Sequence, residues 1–309
     1  MTIKEIAVVL KENNDFEILT HNYPDGDCLG CGYALALALR QLGKRANVIT
    51  TDKPKTFKII TSTVENEAFE PNFIISVDVA DEKLLGANED KYRGRIDLCI
   101  DHHGSNVVDA PLKYVDSKAA AAGEIIFELI KELGAEVSRD IANCLYTAIS
   151  TDTGCFRYVN TTSRTFRYAA ELLDIGCDSE LINKLMFDTK TKRRVELERD
   201  VLDKMIFCAD DKCAIIYTTL EMVKGMGDDE TEGIASIPRQ IEGVKLGITI
   251  REKPDDTYKV SARSNGDVDA CAFCKRFGGG GHIGAAGCTL TGTLDSVIEQ
   301  LKAAAAETL

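Results

Sequence analysis

Excess positive charge is the first thing this sequence does not have. Its 37 lysines and arginines stand against 50 aspartates and glutamates, a formal net charge of −13. Gripping long duplex nucleic acid through a general basic surface takes many phosphate contacts, so that class of function is excluded, whereas a small anionic substrate held by local positive charge is not. Long apolar runs are missing as well: none reaches the ~20 residues of a membrane helix, and no membrane partner is expected. The opening stretch MTIKEIAVVLKENNDF carries charge on both sides of a very short apolar patch, unlike a secretory signal, and the expected location is the cytoplasm. Internal repeats are absent. Histidine is scarce, with four in 309 residues, yet two are adjacent, His102 and His103 in CIDHHGS.

Cysteine is not scarce, with eleven along the chain. Without an export signal they read as reduced thiols rather than a disulfide framework. Cys28/Cys31 and Cys271/Cys274 have C-x-x-C spacing, which could suit zinc or redox chemistry. Each pair opens an apolar helical pattern, however, where small residues three apart pack inward, and packing is the reading adopted.

The length is about twice a typical domain, so two domains are expected. In the first half, FEILTH (16–21), RANVIT (45–50), FIISVDVA (73–80) and RIDLCIDHH (95–103) are apolar runs ending in polar residues. They alternate with helical patterns at 32–43, 119–133 and 140–150, and the alanines at 119–122 read as helix formers. This predicts an α/β fold, a doubly wound and mostly parallel sheet over residues 1–186, with ligands beyond the carboxyl ends of the strands. A charged linker helix with one packed stripe, Leu197, Val201 and Met205, is expected within 187–209. Residues 210–309 then form a smaller α+β domain of three strands, a helix at 268–277, a glycine run, a strand at 288–293 and a last helix.

His21, Asp25, Asp27, Asp78, Asp101, His102, His103 and Asp152 each lie just past an apolar run, on the side where such a sheet builds its site. Taken singly, Asp27 reads as a helix cap. Taken together, Asp25, Asp27, Asp78 and Asp152 in one cleft would repel by roughly 4 kcal/mol per pair at 4 Å under an effective dielectric of about 20. Two divalent cations balance four carboxylates, with neutral His21 and His102 completing the coordination. Imidazole and carboxylate without thiolate favour Mn²⁺. Two ions ~3.5–4 Å apart bring the pKa of a shared water toward about 7 and stabilise in-line displacement at phosphorus, which makes a hydrolase of phosphate esters. In this arrangement Asp78 bridges the ions, His21 and Asp25 hold one, and Asp27, His102 and Asp152 hold the other. His103 faces away from the metals toward the phosphate, and Asp101 orients a histidine from behind. In the second half, Arg263 can fork two hydrogen bonds to a phosphate. The four glycines before His282, the chain's fourth histidine, leave backbone N–H groups bare for an anion.

H-x-x-P-D-G-D at 21–27, Asp78, Asp101-His102-His103, Asp152, Arg263-Ser264 and GGGGHIGAAG at 278–287, in this order, resemble the DHH superfamily of phosphoesterases with a DHH-associated C-terminal domain. The compact two-domain size and the glycine-histidine ending resemble its oligoribonuclease, or nanoRNase, branch, whose members also hydrolyse 3′-phosphoadenosine 5′-phosphate or linear dinucleotides such as pApA. The resemblance implies that the six metal ligands carry over, that His103 contacts the scissile phosphate, and that the C-terminal domain closes over an active site in the cleft between the domains. It further implies that Arg263, Ser264, Gly279, Gly280, Gly281 and His282 bind the terminal nucleotide or phosphate, with Asn106 a candidate for the same surface. The expected products are mononucleotides, and a homodimer is compatible with this reading. Gly30-Cys31 and the alanines of KAAAAGE (118–124) depart from the family's frequent hydroxyl residues without removing a ligand.

Related activities fit less well. The superfamily's inorganic pyrophosphatases carry a basic signature in place of the glycine run, its long-strand exonucleases need an extra domain, and its cyclic dinucleotide phosphodiesterases add membrane and sensory segments. A nucleotide sensor without turnover is disfavoured by the intact ligand set.

Overall fold

The computed structural model describes residues 1–227, 231 and 233–309. The chain divides into two compact units, Met1–Thr189 and Lys190–Leu309.

The first unit is built on five strands, β1 (Phe16–Leu19), β2 (Ala46–Ile49), β3 (Phe73–Val77), β4 (Leu98–Asp101) and β5 (Leu112–Val115), in the order β2-β1-β3-β4-β5. Every pairing is parallel. Parallel sheets are covered on both faces, which is why β3 and β4 read as largely apolar runs, while β1 and β2 each bury one polar residue, Glu17 bonded to Tyr92 and Asn47 to the Glu67 carbonyl. Alternate side chains separate the two faces. Phe16, Ile18, Ile75, Val77 and Ile100 enter the main core with helices α1 (Ile3–Glu12) and α2 (Gly26–Gln41). Leu19, Ile74 and Cys99 enter a second cluster with Leu85 and Tyr92, the latter closing the short helix Glu89–Tyr92. Strand order reverses between β1 and β3, so the crevice for a ligand opens where the chain leaves those strands.

The helices differ in extent from the sequence expectation. The helix read from residue 32 begins at Gly26, because Asp25 caps it and the glycines that mask its start are accommodated by close packing. The helix read from 119 begins at Ala122 and ends at Leu133; Ala119–Ala121 form a bent approach to it. The helix read at 140–150 runs from Arg139 to Asp152. Strand β5 and the helices Ile3–Glu12, Ser163–Ile175 and Ser179–Asn183 lay outside the sequence reading.

The second unit carries a six-stranded sheet ordered β10-β11-β9-β8-β7-β6. Its strands are β6 (Ile206–Cys208), β7 (Cys213–Thr218), β8 (Leu246–Glu252), β9 (Thr257–Ser264), β10 (Gly280–His282) and β11 (Ala285–Thr291). All neighbours are antiparallel except β7 and β8. One face packs on helices Ala270–Lys275 and Leu294–Thr308. On the other, Ile216 meets Leu197 and Val201 of helix Lys192–Asp203, so that helix belongs to this core. Within both units, no helix among the described residues is long and apolar enough to cross a membrane.

Candidate metal centre

The loop after β1 delivers His21 and Asp25. Asp25 Oδ1 accepts the N–H groups of Asp27 and Cys28, each at 3.0 Å, so the cap that sequence reasoning offered to Asp27 belongs to Asp25. His21 Nε2 lies 3.6 Å from the same oxygen. Asp27 is nearly inaccessible, and its two oxygens accept N–H groups from Ala122 at 2.7 Å and Gly123 at 2.9 Å. These are free donors in the first turn of helix Ala122–Leu133, where a carboxylate is also favoured by the helix dipole.

Helix α2 approaches helix Arg139–Asp152 unusually closely. A Cβ on Gly26 would lie 2.3 Å from Thr151 Oγ1, and one on Gly30 2.4 Å from the Cys144 carbonyl. That approach sets Asp152 beside Asp27. Asp152 is therefore the last residue of a helix, not a strand-end residue as the apolar pattern suggested.

Asp78 follows β3 with φ of 55°, a left-handed conformation that costs a non-glycine residue about 1–2 kcal/mol. This turns its carboxylate into the crevice, buried. After β4, the two histidine rings sit with centroids 4.4 Å apart. His102 Nε2 lies 3.7 Å from Asp27 Oδ2, 3.5 Å from Asp78 Oδ1 and 3.8 Å from Asp152 Oδ2. Its Nδ1 contacts the Ala119 carbonyl at 3.3 Å, which sets Nδ1 as the donor and leaves Nε2 a free lone pair. His103 does not face away from this cluster: its Nδ1 is 3.5 Å from Asp78 Oδ1 as well as 2.8 Å from Asp101 Oδ1. Asp101 also accepts the backbone N–H groups of both histidines. Asn106 donates to Asp101 Oδ2 at 2.6 Å and to the Val79 carbonyl at 2.9 Å, so its amide braces Asp101 from behind and is not offered to a substrate.

Burial first, then the charges of Asp152 and Asp25, push the Asp27 carboxyl well above the usual range. Burial, then Asp27 and Asp25, does the same to Asp78. Asp152 is raised too, by burial above all, with His102 opposing and Asp25 adding. At Asp25 burial is outweighed by the hydrogen bond and charge of His21, and its carboxyl lies low. At Asp101 burial is outweighed by His103 and Asn106, again lowering it. The Asp101 hydrogen bond lifts His103 to about 9. The crevice thus concentrates negative charge that its own cations do not neutralise.

Two buried atoms, Asp78 Oδ1 and His102 Nε2, have no hydrogen-bond partner. Leaving such atoms unpaired is costly unless something else binds them. Three groups each bring ligand atoms within 4.8 Å of one another, two of them sharing His102: Asp27, His102 and Asp152; His21, Asp25 and Cys28; and Asp78, Asp101, His102 and His103. Orphaned lone pairs aimed at a cluster of carboxylates and imidazoles fit divalent metal ions.

Some contributors escaped the sequence reading. Asn160 Nδ2 donates to the Asp152 carbonyl at 3.1 Å and to the Ala120 carbonyl at 2.9 Å, yet no motif singles it out. The work done by Ala119, Ala122 and Gly123 is all backbone and leaves no side-chain signature. Cys28 stands within ligand distance of His21 and Asp25, although burial pushes its thiol well up.

In the second unit the register sets Arg263, Ala285 and His282 in one cross-strand row, beside a row of Ser261, Gly287 and Gly280 almost free of side chains. Arg263 Nη1 bonds only the Ala262 carbonyl, and no carboxylate pairs with it among the described residues. Ser264 Oγ donates to the Ile283 carbonyl. Gly280, Gly281 and His282 are exposed. The glycine run is not uniformly bare, because the Gly279 N–H donates to Cys274. A Cβ on Gly279 would lie 2.2 Å from the Gly287 carbonyl, so this glycine serves close packing.

Comparison with known proteins agrees with this geometry. Residues 16–149 match the model of the DHH family, N-terminal domain, and residues 214–309 that of the DHHA1 domain. The bifunctional oligoribonuclease and PAP phosphatase NrnA of Thermus thermophilus is 33% identical, over 98% of this chain and 93% of its own. Among solved structures, an exopolyphosphatase-related protein from Bacteroides fragilis superimposes with a TM-score of 0.85 at 26% identity, covering 98% of this chain and 95% of that one. Exonuclease RecJ bound to manganese shares the fold, with a TM-score of 0.59 at 15% identity over 100% of this chain and 95% of that one.

Proposed function

The chain belongs to the DHH family, with a DHHA1 domain following the DHH domain, and on that footing we propose that it hydrolyses short oligonucleotides to mononucleotides and 3′-phosphoadenosine 5′-phosphate to AMP. The observation that carries this reading is the buried crevice in which Asp78 Oδ1 and His102 Nε2 lack partners amid carboxylates that repel one another. Asp27, His102 and Asp152 would hold one divalent ion, His21 and Asp25 a second, and Asp78 would reach both. Mn²⁺ suits these ligands, and when bound such ions activate water and offset the charge gathering at phosphorus.

The remaining work falls to the protein's own groups. Asp101 holds His103 through Nδ1, and in the metal-free crevice that hydrogen bond raises the ring's pKa to about 9. The half-exposed ring then offers its Nε2–H to a non-bridging phosphate oxygen or to the departing ester oxygen. Arg263, Ser264, Gly280, Gly281 and His282 would take the terminal nucleotide or phosphate, the guanidinium having no carboxylate among the described residues to release first. Gly279 is tied into the sheet and shapes the turn instead.

The test is release of mononucleotides from labelled pApA, and of AMP from 3′-phosphoadenosine 5′-phosphate, by chelator-treated protein with and without added Mn²⁺. Hydrolysis restored by Mn²⁺ is expected. Metal-loaded protein that binds both compounds and cleaves neither sinks the proposal.

A further inference from the structure

One of the two ligand sets is aimed by a single piece of backbone, residues 116–123. Its Ala119 carbonyl meets His102 Nδ1, and its Ala122 and Gly123 N–H groups meet the oxygens of Asp27. Asn160 ties its Ala120 carbonyl to the Asp152 carbonyl. The side chains at 119–122 are alanines that hold nothing themselves, so the shape of this stretch must be imposed from outside.

Glu124 and Arg164 impose it. Glu124 is fully buried; Oε2 accepts the Ala120 N–H at 3.3 Å and Arg164 Nε at 2.7 Å, while Oε1 accepts the Thr165 hydroxyl at 2.6 Å. The far end of the same guanidinium forks onto Asp116 Oδ2, both contacts at 3.2 Å. Asp116 in turn receives the N–H groups of Lys118, through Oδ1, and of Ala119, through its carbonyl. The segment is therefore clamped at both ends by one Arg164 bridging two carboxylates. Among the described residues, no comparable clamp touches the other set. Asp25 is set by its own helix cap, and His21 contacts Asp25.

We propose that Glu124 and Arg164 are positioning residues for the Asp27, His102 and Asp152 set alone, so that the two metal sites can be weakened separately. This rests on reading the crevice as a two-metal centre. The mechanism is orientation: releasing the clamp frees the Ala119 carbonyl and the two N–H groups to shift, and His102 and Asp27 then meet an ion less well aligned. Groups hydrogen-bonded to a metal ligand, as the Ala119 carbonyl and the two N–H groups are, typically matter by about 10–100-fold in affinity, and the clamp acts through them.

The experiment titrates Mn²⁺ into the metal-free, full-length chain and follows free Mn²⁺ by electron paramagnetic resonance, a readout independent of turnover. The parent protein should take up two ions. Glu124→Gln, which keeps the shape and removes the charge, should weaken one site by about 10–100-fold and leave the other unchanged. In a His21→Ala background, where the clamped set is the one left intact, the weakening should persist. Arg164→Lys keeps the charge but loses the fork; it should weaken the same site by about 10-fold and carries the test if Glu124→Gln does not fold by circular dichroism. Folded variants that bind both ions as the parent does, or that weaken both sites equally, overturn the proposal. A parent chain that binds no Mn²⁺ overturns the two-metal reading itself and is thereby told apart.

Discussion

The two units solve opposite electrostatic problems. In the first, carboxylates are packed into a crevice where Asp27 and Asp78 are 1% and 3% exposed, and each raises the proton affinity of the next. In the second, an arginine stands without a carboxylate among the described residues, beside an exposed strand of glycine and histidine. One site is short of positive charge, the other of negative charge. Buried like charges are tolerated only when an ion of opposite sign completes them, whereas a half-buried guanidinium can wait for its anion at little cost because water still reaches it. On the proposed function, the contrast separates a site for cations from a surface for a phosphate.

The strongest way to break that contrast is to remove one charge from the crevice. Asp78→Asn should cut hydrolysis by at least the roughly 10²–10³-fold that loss of one electrostatic group costs an active site. The same change should raise the thermal midpoint of the metal-free chain, because it relieves repulsion. A metal-free melt that falls on substitution would mean that Asp78 is a structural carboxylate and that the crevice was never strained.

Charge removed from the second unit should behave differently. Arg263→Ala is expected to raise KM for a dinucleotide by about 10–100-fold, the usual worth of a charge-assisted hydrogen bond, with kcat little changed. Metal-free stability should not rise. Were kcat to collapse with KM constant, Arg263 would belong to the chemistry and the contrast would fail.

The smallest effect concerns His103, whose raised pKa makes it a cation on the acidic side of the metal-free chain. Its folded pKa of about 9 exceeds the ordinary 6.5, so the stability its proton confers is complete below about 6.5 and is lost as pH rises through about 9. Asp101→Asn removes the leading cause and should move the midpoint down toward 6.5, as read from the imidazole proton resonances of the metal-free chain. A midpoint that stays near 9 would transfer the effect to Asp78 and the other carboxylates.

Much of this was legible beforehand, for local reasons. Strands β1 to β4 announce themselves because strands covered on both faces need mostly apolar runs, even where Glu17 and Asn47 interrupt them. Asp25, Asp78 and His102 were legible because polar residues directly after such runs must lie at the carboxyl ends of the sheet. Helix α2 was read short, since Gly26 and Gly30 look like helix breakers in a sequence and prove to be contact points with a neighbouring helix. Asn106 looked available for a substrate and is committed to Asp101. Ala119–Ala121 looked like helix and are a bent approach whose carbonyls serve His102 and Asn160.

By itself, then, the sequence determined which residue types can do chemistry here, the periodicities that make a parallel sheet and a second α+β unit, and the excess of acid that calls for metal. Only the tertiary structure decided that Asp152 arrives on a helix, that Asp25 and not Asp27 takes the cap, and that backbone atoms of an alanine-rich stretch aim Asp27 and His102. Side-chain chemistry and periodicity are written residue by residue. Hydrogen bonds from the backbone, and the closeness that a missing Cβ permits, depend on which segments meet, and that is settled only when the chain has packed.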